Sequence, residues 1–138
     1  MNESRVQTLI DECEIIDVLS RYAAGVDRRD AELCGSCFTD EVEVEMPGQS
    51  FGWLAVHDWV EKVMTAVAPY QATQHIITNH EVEIRGDEAT CTAYVQAQHW
   101  TVEAALLIGG TYSTRLQLGE DGWRICRLTL TQTFDEKR

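Results

Sequence analysis

Two aspartates and two histidines of this sequence have side chains suited to acid–base chemistry. Asp27 and Asp30 flank two arginines in "GVDRRD", whereas His75 and His99 lie in later segments that alternate like strands. An imidazole titrates near neutral pH and can remove a proton from a substrate. A carboxylate behind the ring determines which nitrogen carries the hydrogen. We therefore expect one aspartate to cap a helix, and consider the other as half of an acid–base pair whose partner is distant in the sequence.

Helices in the first half of the sequence would carry the aspartates. Apolar residues at helical spacing predict a helix from about residue 8 to 26, and Asp30 is placed to N-cap a short second helix, "AELCGSCF". The alternating segment "EVEVEM" predicts a strand, and "PGQSFG" predicts a turn. A third helix is predicted from Trp53 to about Ala68, closed by Pro69.

Strands in the second half would carry the histidines. Alternating runs joined by turns that place Gly beside Asp are typical of hairpins. Helices followed by such a meander predict one α+β domain over residues 1–138, with three helices packed on the concave face of a curved antiparallel sheet. The predicted strands are "TQHIITNHEVEI", "ATCTAYVQAQHW", "ALLIGGTYSTRLQL" and "WRICRLTLTQTF".

The composition excludes several classes of function. The net charge of −12 disfavours binding to nucleic acid and to anionic membrane surfaces, both of which attract clusters of Lys and Arg. No segment approaches the roughly 20 apolar residues that cross a bilayer, and the N-terminal residues lack a signal-peptide pattern. We therefore expect a cytoplasmic protein.

The five cysteines include one CxxC pair, Cys34 and Cys37. Such a pair can be a redox site or half of a zinc site, but there is no second CxxC and the motif does not open a helix after a strand, so buried small thiols are favoured. The sequence also lacks zinc-like ligand spacing, a glycine-rich phosphate loop and a GxSxG serine motif. We expect a pocket with no cofactor and no metal.

Three ordered segments resemble a known family. "EIIDVLSRYAAGVDRRDAELCGSCFTDEVEVEMPG", "TQHIITNHEVEIRGDEATCTAYV" and "LIGGTYSTRLQLGEDGWRICRLTL" resemble the SnoaL-like branch of the nuclear-transport-factor-2-like superfamily. The resemblance implies an α+β cone. Within the superfamily the sequence is most similar to lyases of the hexachlorocyclohexane dehydrochlorinase, scytalone dehydratase and bile-acid 7α-dehydratase types.

The resemblance also implies roles for particular residues. In those lyases an Asp just after the first helix orients a His on a central strand, and the His removes a proton from the substrate. The matching positions here are Asp27 and His75. A second histidine lines the pocket in scytalone dehydratase-like enzymes, and the comparable position is His99, whose strand alternates with small residues.

The sequence leaves open which face of its strand His75 occupies. Strict alternation back from Val82 places His75 on the face opposite to the core. A bulge near Thr78 would reset the register. Alternatively, the strand end is covered on both faces, which the adjacent apolar pair Ile76 and Ile77 would fit.

Further side chains are candidates for the pocket wall, with ordinary core packing as the alternative for each. Tyr22 shares a helical face with the apolar stripe, so that its hydroxyl is also a candidate donor to a substrate oxygen. The candidate substrate-binding residues are Tyr22, His99, Trp53, Phe38 and Met64.

One departure from the dehydrochlorinase pattern concerns the leaving group. Dehydrochlorinase-like enzymes carry a cationic residue on the last strand, and the corresponding position here is Leu128, with Arg127 adjacent on the other face. Elimination of water or simple proton transfer is therefore favoured over elimination of chloride.

These observations predict a cofactor-independent lyase of the dehydratase type that acts on a small hydrophobic cyclic or polyketide-like molecule. Two alternatives remain: a ketosteroid-isomerase-like proton-transfer enzyme, in which a carboxylate is normally the base, and a non-catalytic protein that binds a small ligand on the same scaffold. The resemblance also implies a homo-oligomer, a trimer or a dimer, joined through the outer face of the sheet.

Overall fold

In the computed structural model, which describes residues 2–138, three helices cover one face of a six-stranded sheet. The predicted α+β fold is confirmed. The elements are α1 (Glu3–Asp27), α2 (Ala31–Ser36), β1 (Phe38–Met46), β2 (Gln49–Ala55), α3 (Val56–Val67), β3 (Ala72–Arg85), β4 (Glu88–Trp100), β5 (Ala105–Gly119) and β6 (Gly122–Lys137).

The strands lie in the order β2-β1-β6-β5-β4-β3 across the sheet. The sheet is mixed rather than wholly antiparallel, because β1 runs parallel to β6 whereas the other neighbours are antiparallel. Helix α3 carries the chain from the β1–β2 hairpin to the opposite edge, where the meander β3–β6 begins. The last strand of the meander therefore returns to lie beside β1.

The core lies between α1 and the inner face of the sheet. Burial of each large apolar side chain contributes roughly 1.5–3 kcal/mol to this packing. The inner face of β4 carries mostly small side chains. The buried residues of α1 include Ile15, Val18, Leu19, Tyr22 and Val26, and those of β4 are Ala89, Cys91, Ala93, Val95 and Ala97.

Strand β2 lies where the sequence predicts a turn and the start of a helix. The prediction that a helix begins at Trp53 is wrong, since α3 begins at Val56. Gly52 adopts a φ of 64°, and the pairing of β1 with β2 shifts register near it. This irregularity removes the strict alternation by which a strand is recognised in a sequence.

The first helix also begins earlier than predicted, at Glu3. Asn2 caps it, because its side-chain oxygen accepts a hydrogen bond of 2.9 Å from the backbone N–H of Arg5. Across residues 2–138, no helix combines the length and the apolar character that a membrane span requires.

Candidate active site

The end of α1 directs Asp27 towards strand β3. The helix closes in a Schellman motif, in which the N–H of Arg29 donates to the carbonyl of Val26 at 3.1 Å and the N–H of Asp30 donates to that of Gly25 at 2.9 Å. Asp27 is the last residue of the helix and lies against β3.

Asp30 has the capping role predicted from the sequence. Its carboxylate accepts a hydrogen bond of 3.0 Å from the N–H of Leu33 in the first turn of α2. Because Asp30 is occupied with α2, it is Asp27 that is free to contact the sheet.

A bulge in β3 turns His75 to the inner face. The pairing of β3 with β4 shifts by one residue between Thr78 and Glu81, and Asn79 within the shift has a φ of 56°. Of the two alternatives considered from the sequence, the bulge near Thr78 is the one that the structure contains. It places His75 on the same face as Val82, although strict alternation would separate them.

Asp27 and His75 are in direct contact. The Nδ1 of His75 lies 2.7 Å from Oδ1 of Asp27, and the backbone N–H of His75 donates to Oδ2 at 2.8 Å. The hydroxyl of Thr73 donates a further hydrogen bond of 3.0 Å to Oδ1. The side chains of His75 and Asp27 are 11% and 21% exposed, so the pair is largely shielded from water.

These contacts determine the ionisation of Asp27 and the tautomer of His75. Burial acts to raise the pKa of Asp27, but the hydrogen bonds and the charge of His75, together with Thr73, lower it below its ordinary value. An ionised carboxylate only accepts hydrogen bonds, so the Nδ1 of His75 carries the hydrogen. In the neutral ring Nε2 is then unprotonated, and within residues 2–138 it has no hydrogen-bond partner.

His99 lies beside the pair. Its ring centroid is 5.9 Å from that of His75 and 4.8 Å from that of Tyr70. Its Nδ1 lies 3.3 Å from the carbonyl oxygen of Leu106, which can only accept, so Nδ1 is the donor. Burial lowers the pKa of His99, which favours a neutral ring with an accepting Nε2.

Tyr22 lies in the interior, as its helical face predicts. It makes an edge-to-face contact with Phe38 at 5.3 Å and another with Tyr112 at 6.1 Å. Burial and the neighbouring Tyr112 raise the pKa of Tyr22 well above its ordinary value. Its hydroxyl therefore keeps its proton and is able to donate.

The remaining candidate wall residues are divided between the interior and the surface. Phe38 is buried, and Met64 is partly buried against the core. Trp53 is 62% exposed and does not line the interior, contrary to the expectation from sequence. The reason is that it belongs to β2, where it lies opposite Glu43 on the outer face of the sheet.

An apolar side chain occupies the position that corresponds to the cationic residue on the last strand of dehydrochlorinase-like enzymes. Leu128 is buried in the core. The neighbouring Arg127 points to the outer face, where its Nε lies 3.3 Å from a carboxylate oxygen of Glu43. Neither residue presents a positive charge to the interior.

The two cysteines of the CxxC pair are buried thiols. Burial raises the pKa of Cys34 to about 12 and also raises that of Cys37, which keeps both sulfurs protonated and unreactive. Within residues 2–138 no cluster of three or more His, Cys, Asp or Glu side chains has a geometry for metal binding.

Three residues of this site were not predicted from the sequence: Thr73, Arg29 and Tyr112. Thr73 is two positions before His75 and therefore lies on the same face of the strand. Strand alternation could have indicated Thr73 once His75 was identified as a candidate. Arg29 donates to Thr73 at 2.8 Å, and no local pattern indicates this contact. Burial, augmented by the charge of Asp27, raises the pKa of Tyr112.

The family model of a SnoaL-like domain matches residues 7–129. The chain belongs to the SnoaL-like family. No curated protein matches its sequence.

Solved structures with this fold include enzymes. A protein from Kribbella flavida is 28% identical with a TM-score of 0.90, and the match covers 94% of this chain and 95% of that one. A hexachlorocyclohexane dehydrochlorinase from Novosphingobium barchaimii is 20% identical with a TM-score of 0.84, over 97% and 94% of the two chains. A protein assigned as a scytalone dehydratase from Novosphingobium aromaticivorans is 19% identical with a TM-score of 0.82, over 94% and 88%. This SnoaL-like chain thus shares its fold with dehydrochlorinase- and dehydratase-type proteins.

Proposed function

We propose that this SnoaL-like protein is a cofactor-independent lyase that eliminates water from a small hydrophobic cyclic or polyketide-like molecule. The observation that carries the proposal is the contact of Asp27 with His75. The carboxylate accepts from Nδ1–H at 2.7 Å and from the backbone N–H of the same residue at 2.8 Å. The Nε2 lone pair is left available to remove a proton.

In the proposed reaction Nε2 of His75 removes a proton from carbon. The electron pair of the C–H bond forms the new double bond as the neighbouring C–O bond breaks, and the departing hydroxide takes up a proton to leave as water. The imidazolium can return that proton, so the histidine ends the cycle neutral. Asp27 stabilises the imidazolium while it exists.

Two groups of the interior are suited to hold the oxygen atoms of such a substrate. Burial raises the pKa of Tyr22, so its hydroxyl keeps its proton, and it would donate to the substrate in place of Tyr112. The neutral ring of His99 offers an acceptor to a substrate hydroxyl, since its Nδ1–H is used by Leu106. A molecule with a hydroxyl group would suit Tyr22 and His99, and an acidic carbon-bound hydrogen would suit His75.

The character of the surrounding side chains supports an apolar substrate. The inner face of β4 near His75 is formed by small residues such as Ala93 and Ala97, and Tyr22 and Phe38 contribute aromatic surface to the same interior. Ligand sites in proteins are mostly apolar, with a few polar groups that orient the ligand.

Elimination of water is favoured over elimination of chloride. A departing chloride gains from a nearby cation, but Leu128 is apolar and Arg127 pairs with Glu43 on the outer face. Departing hydroxide instead needs a proton, which a protonated imidazole or a tyrosine hydroxyl can supply.

The proposal is tested with His75→Ala and a panel of cyclic and polyketide-like hydroxy-carbonyl compounds. We expect kcat to fall by roughly 100- to 10,000-fold, the usual contribution of a general base, while ligand affinity measured by calorimetry changes little. The matched control is His57→Ala, since His57 is an exposed histidine on α3 and should not affect turnover.

The possible results separate the competing functions. Full activity in His75→Ala, with an acid limb of the pH–rate profile that survives the substitution, would indicate a carboxylate base of the ketosteroid-isomerase kind. Tight binding by the unmodified protein without turnover of any compound would instead indicate a ligand-binding protein.

A further inference from the structure

Arg29 adopts a backbone conformation that does not suit an arginine. Its φ of 58° is in the left-handed region, at the position after α1 where glycine is usual. Residues with a side chain persist there when the surrounding contacts compensate, and such strain is concentrated at functional sites. The contacts of the guanidinium group supply that compensation.

The guanidinium group of Arg29 joins the ends of three elements. Its Nη1 donates to the carbonyl of Val26 in α1 at 3.1 Å and to the hydroxyl of Thr73 in β3 at 2.8 Å. Its Nη2 donates to the carbonyls of Val67, at the end of α3, and Tyr70, at 3.2 and 3.3 Å. The arrangement uses the planar fork of arginine, which a lysine lacks.

These contacts decide which way the hydroxyl of Thr73 points. A guanidinium group has only donors, so the oxygen of Thr73 must accept from Arg29. The hydrogen of the hydroxyl is then free for Oδ1 of Asp27, which lies at 3.0 Å. The same Oδ1 accepts from Nδ1 of His75.

We infer that Arg29 is a positioning residue for His75 and acts on it through Thr73 and Asp27. The chain of donors runs in one direction, from the guanidinium to the hydroxyl and from the hydroxyl to the carboxylate. The carboxylate is held with one oxygen towards the ring and the other towards the backbone N–H of His75. The effect on turnover rests on the proposed lyase function, whereas the hydrogen-bonded chain itself does not.

The test uses Thr73→Val, which keeps the shape of the side chain and removes the hydroxyl, and Arg29→Lys, which keeps the charge and removes the fork. In the full-length protein we would follow the side-chain carboxyl carbon of Asp27 through a pH titration, and the imidazole nitrogens of His75, by nuclear magnetic resonance. Both variants should raise the titration midpoint of Asp27 and shift the His75 signals, since the ionised carboxylate loses an aligned donor. Turnover should fall roughly 10- to 100-fold with a smaller change in KM.

Two further variants serve as controls. Thr73→Ser restores the hydroxyl and should return the Asp27 titration and the His75 signals to those of the unmodified protein. Arg21→Lys removes a guanidinium group that pairs with Asp17 at 3.1 Å on the same helix rather than with Thr73, and should leave both signals unchanged.

Unaltered Asp27 and His75 signals in Thr73→Val would overturn the inference, because Arg29 would then be a structural link only. A loss of stability in Arg29→Lys would not change that conclusion. If Arg29→Lys does not fold, the comparison of Thr73→Val with Thr73→Ser decides. Shifted signals in a protein that turns over no compound would support the positioning role and count against the lyase proposal alone.

Discussion

At the scale of single residues, Asp27 is the unusual group. A negative charge at the C-terminus of a helix is unfavourable because the macrodipole is negative there. Three hydrogen bonds compensate, from the ring of His75, the backbone of His75 and the hydroxyl of Thr73. The carboxylate is thereby kept ionised and aligned, which is the condition for the base role proposed for His75.

The lowered pKa of Asp27 predicts a pH dependence of stability. Because folding lowers this pKa, the ionised group stabilises the fold above the unfolded value of roughly 4, and the contribution is lost as the pH falls through the lower folded value. Asp27→Asn should therefore cost about 1.5–3 kcal/mol near neutral pH, the usual value of hydrogen bonds to a charged group, and progressively less below about pH 4. Urea denaturation across the pH range measures this.

The exposed Asp17→Asn serves as the control, and its cost should be smaller because surface pairs contribute little. A difference between Asp27→Asn and the unmodified protein that stays constant down to strongly acidic pH would contradict the stabilising role of the ionised carboxylate.

At the scale of elements, one extra residue in β3 decides which face His75 occupies. The bulge needs the left-handed conformation of Asn79, which asparagine tolerates better than most residues and β-branched residues tolerate poorly. Every side chain before the bulge, including that of His75, depends on it for the correct face.

We therefore expect Asn79→Val to lower the free energy of unfolding by about 1–2 kcal/mol, the cost of the left-handed conformation. Because His75 is displaced, the turnover expected from the proposed lyase function should also fall. Asn79→Gly should retain both the stability and the turnover of the unmodified protein. The matched control is Thr78→Val, which introduces the same residue one position earlier on the exposed side of β3. Equal stabilities of Asn79→Val and Thr78→Val in urea denaturation would argue against the bulge.

At the scale of the whole molecule, the outer face of the sheet carries exposed apolar side chains on β3, β4 and β6. Ile76, Tyr94 and Phe134 are each about half exposed. Phe134 lies over Gly109, where a side chain on the glycine would meet its ring. An apolar surface of this kind on an otherwise charged protein is typical of subunit contacts.

We accordingly expect a homo-oligomer, a trimer or a dimer, joined through this face. Tyr94→Lys should convert it to a monomer by placing a charge on the contact surface, and light scattering at micromolar concentration measures the mass. Ser20→Lys on the exposed side of α1 introduces the same charge and should not change the mass. A monomeric unmodified protein would contradict this expectation.

The sequence by itself determined the elements with regular periodicity and the residues worth examining. Helices α1 and α3, the meander of β3 to β6 and the cap at Asp30 follow from local spacing, and family likeness singled out Asp27 and His75. These features were predictable because a regular helix or strand repeats its pattern many times within a short segment.

The tertiary structure alone decided the features that break that pattern or join distant segments. Strand β2, the parallel pairing of β1 with β6 and the outward position of Trp53 depend on a single irregularity and on which strands meet. For His75 the sequence left open a bulge near Thr78 or a strand end covered on both faces, and only the folded sheet could show that the bulge is present. The links from Arg29 to Thr73 and from Asp27 to His75 span 44 and 48 residues, and packing rather than local spacing brings such groups together.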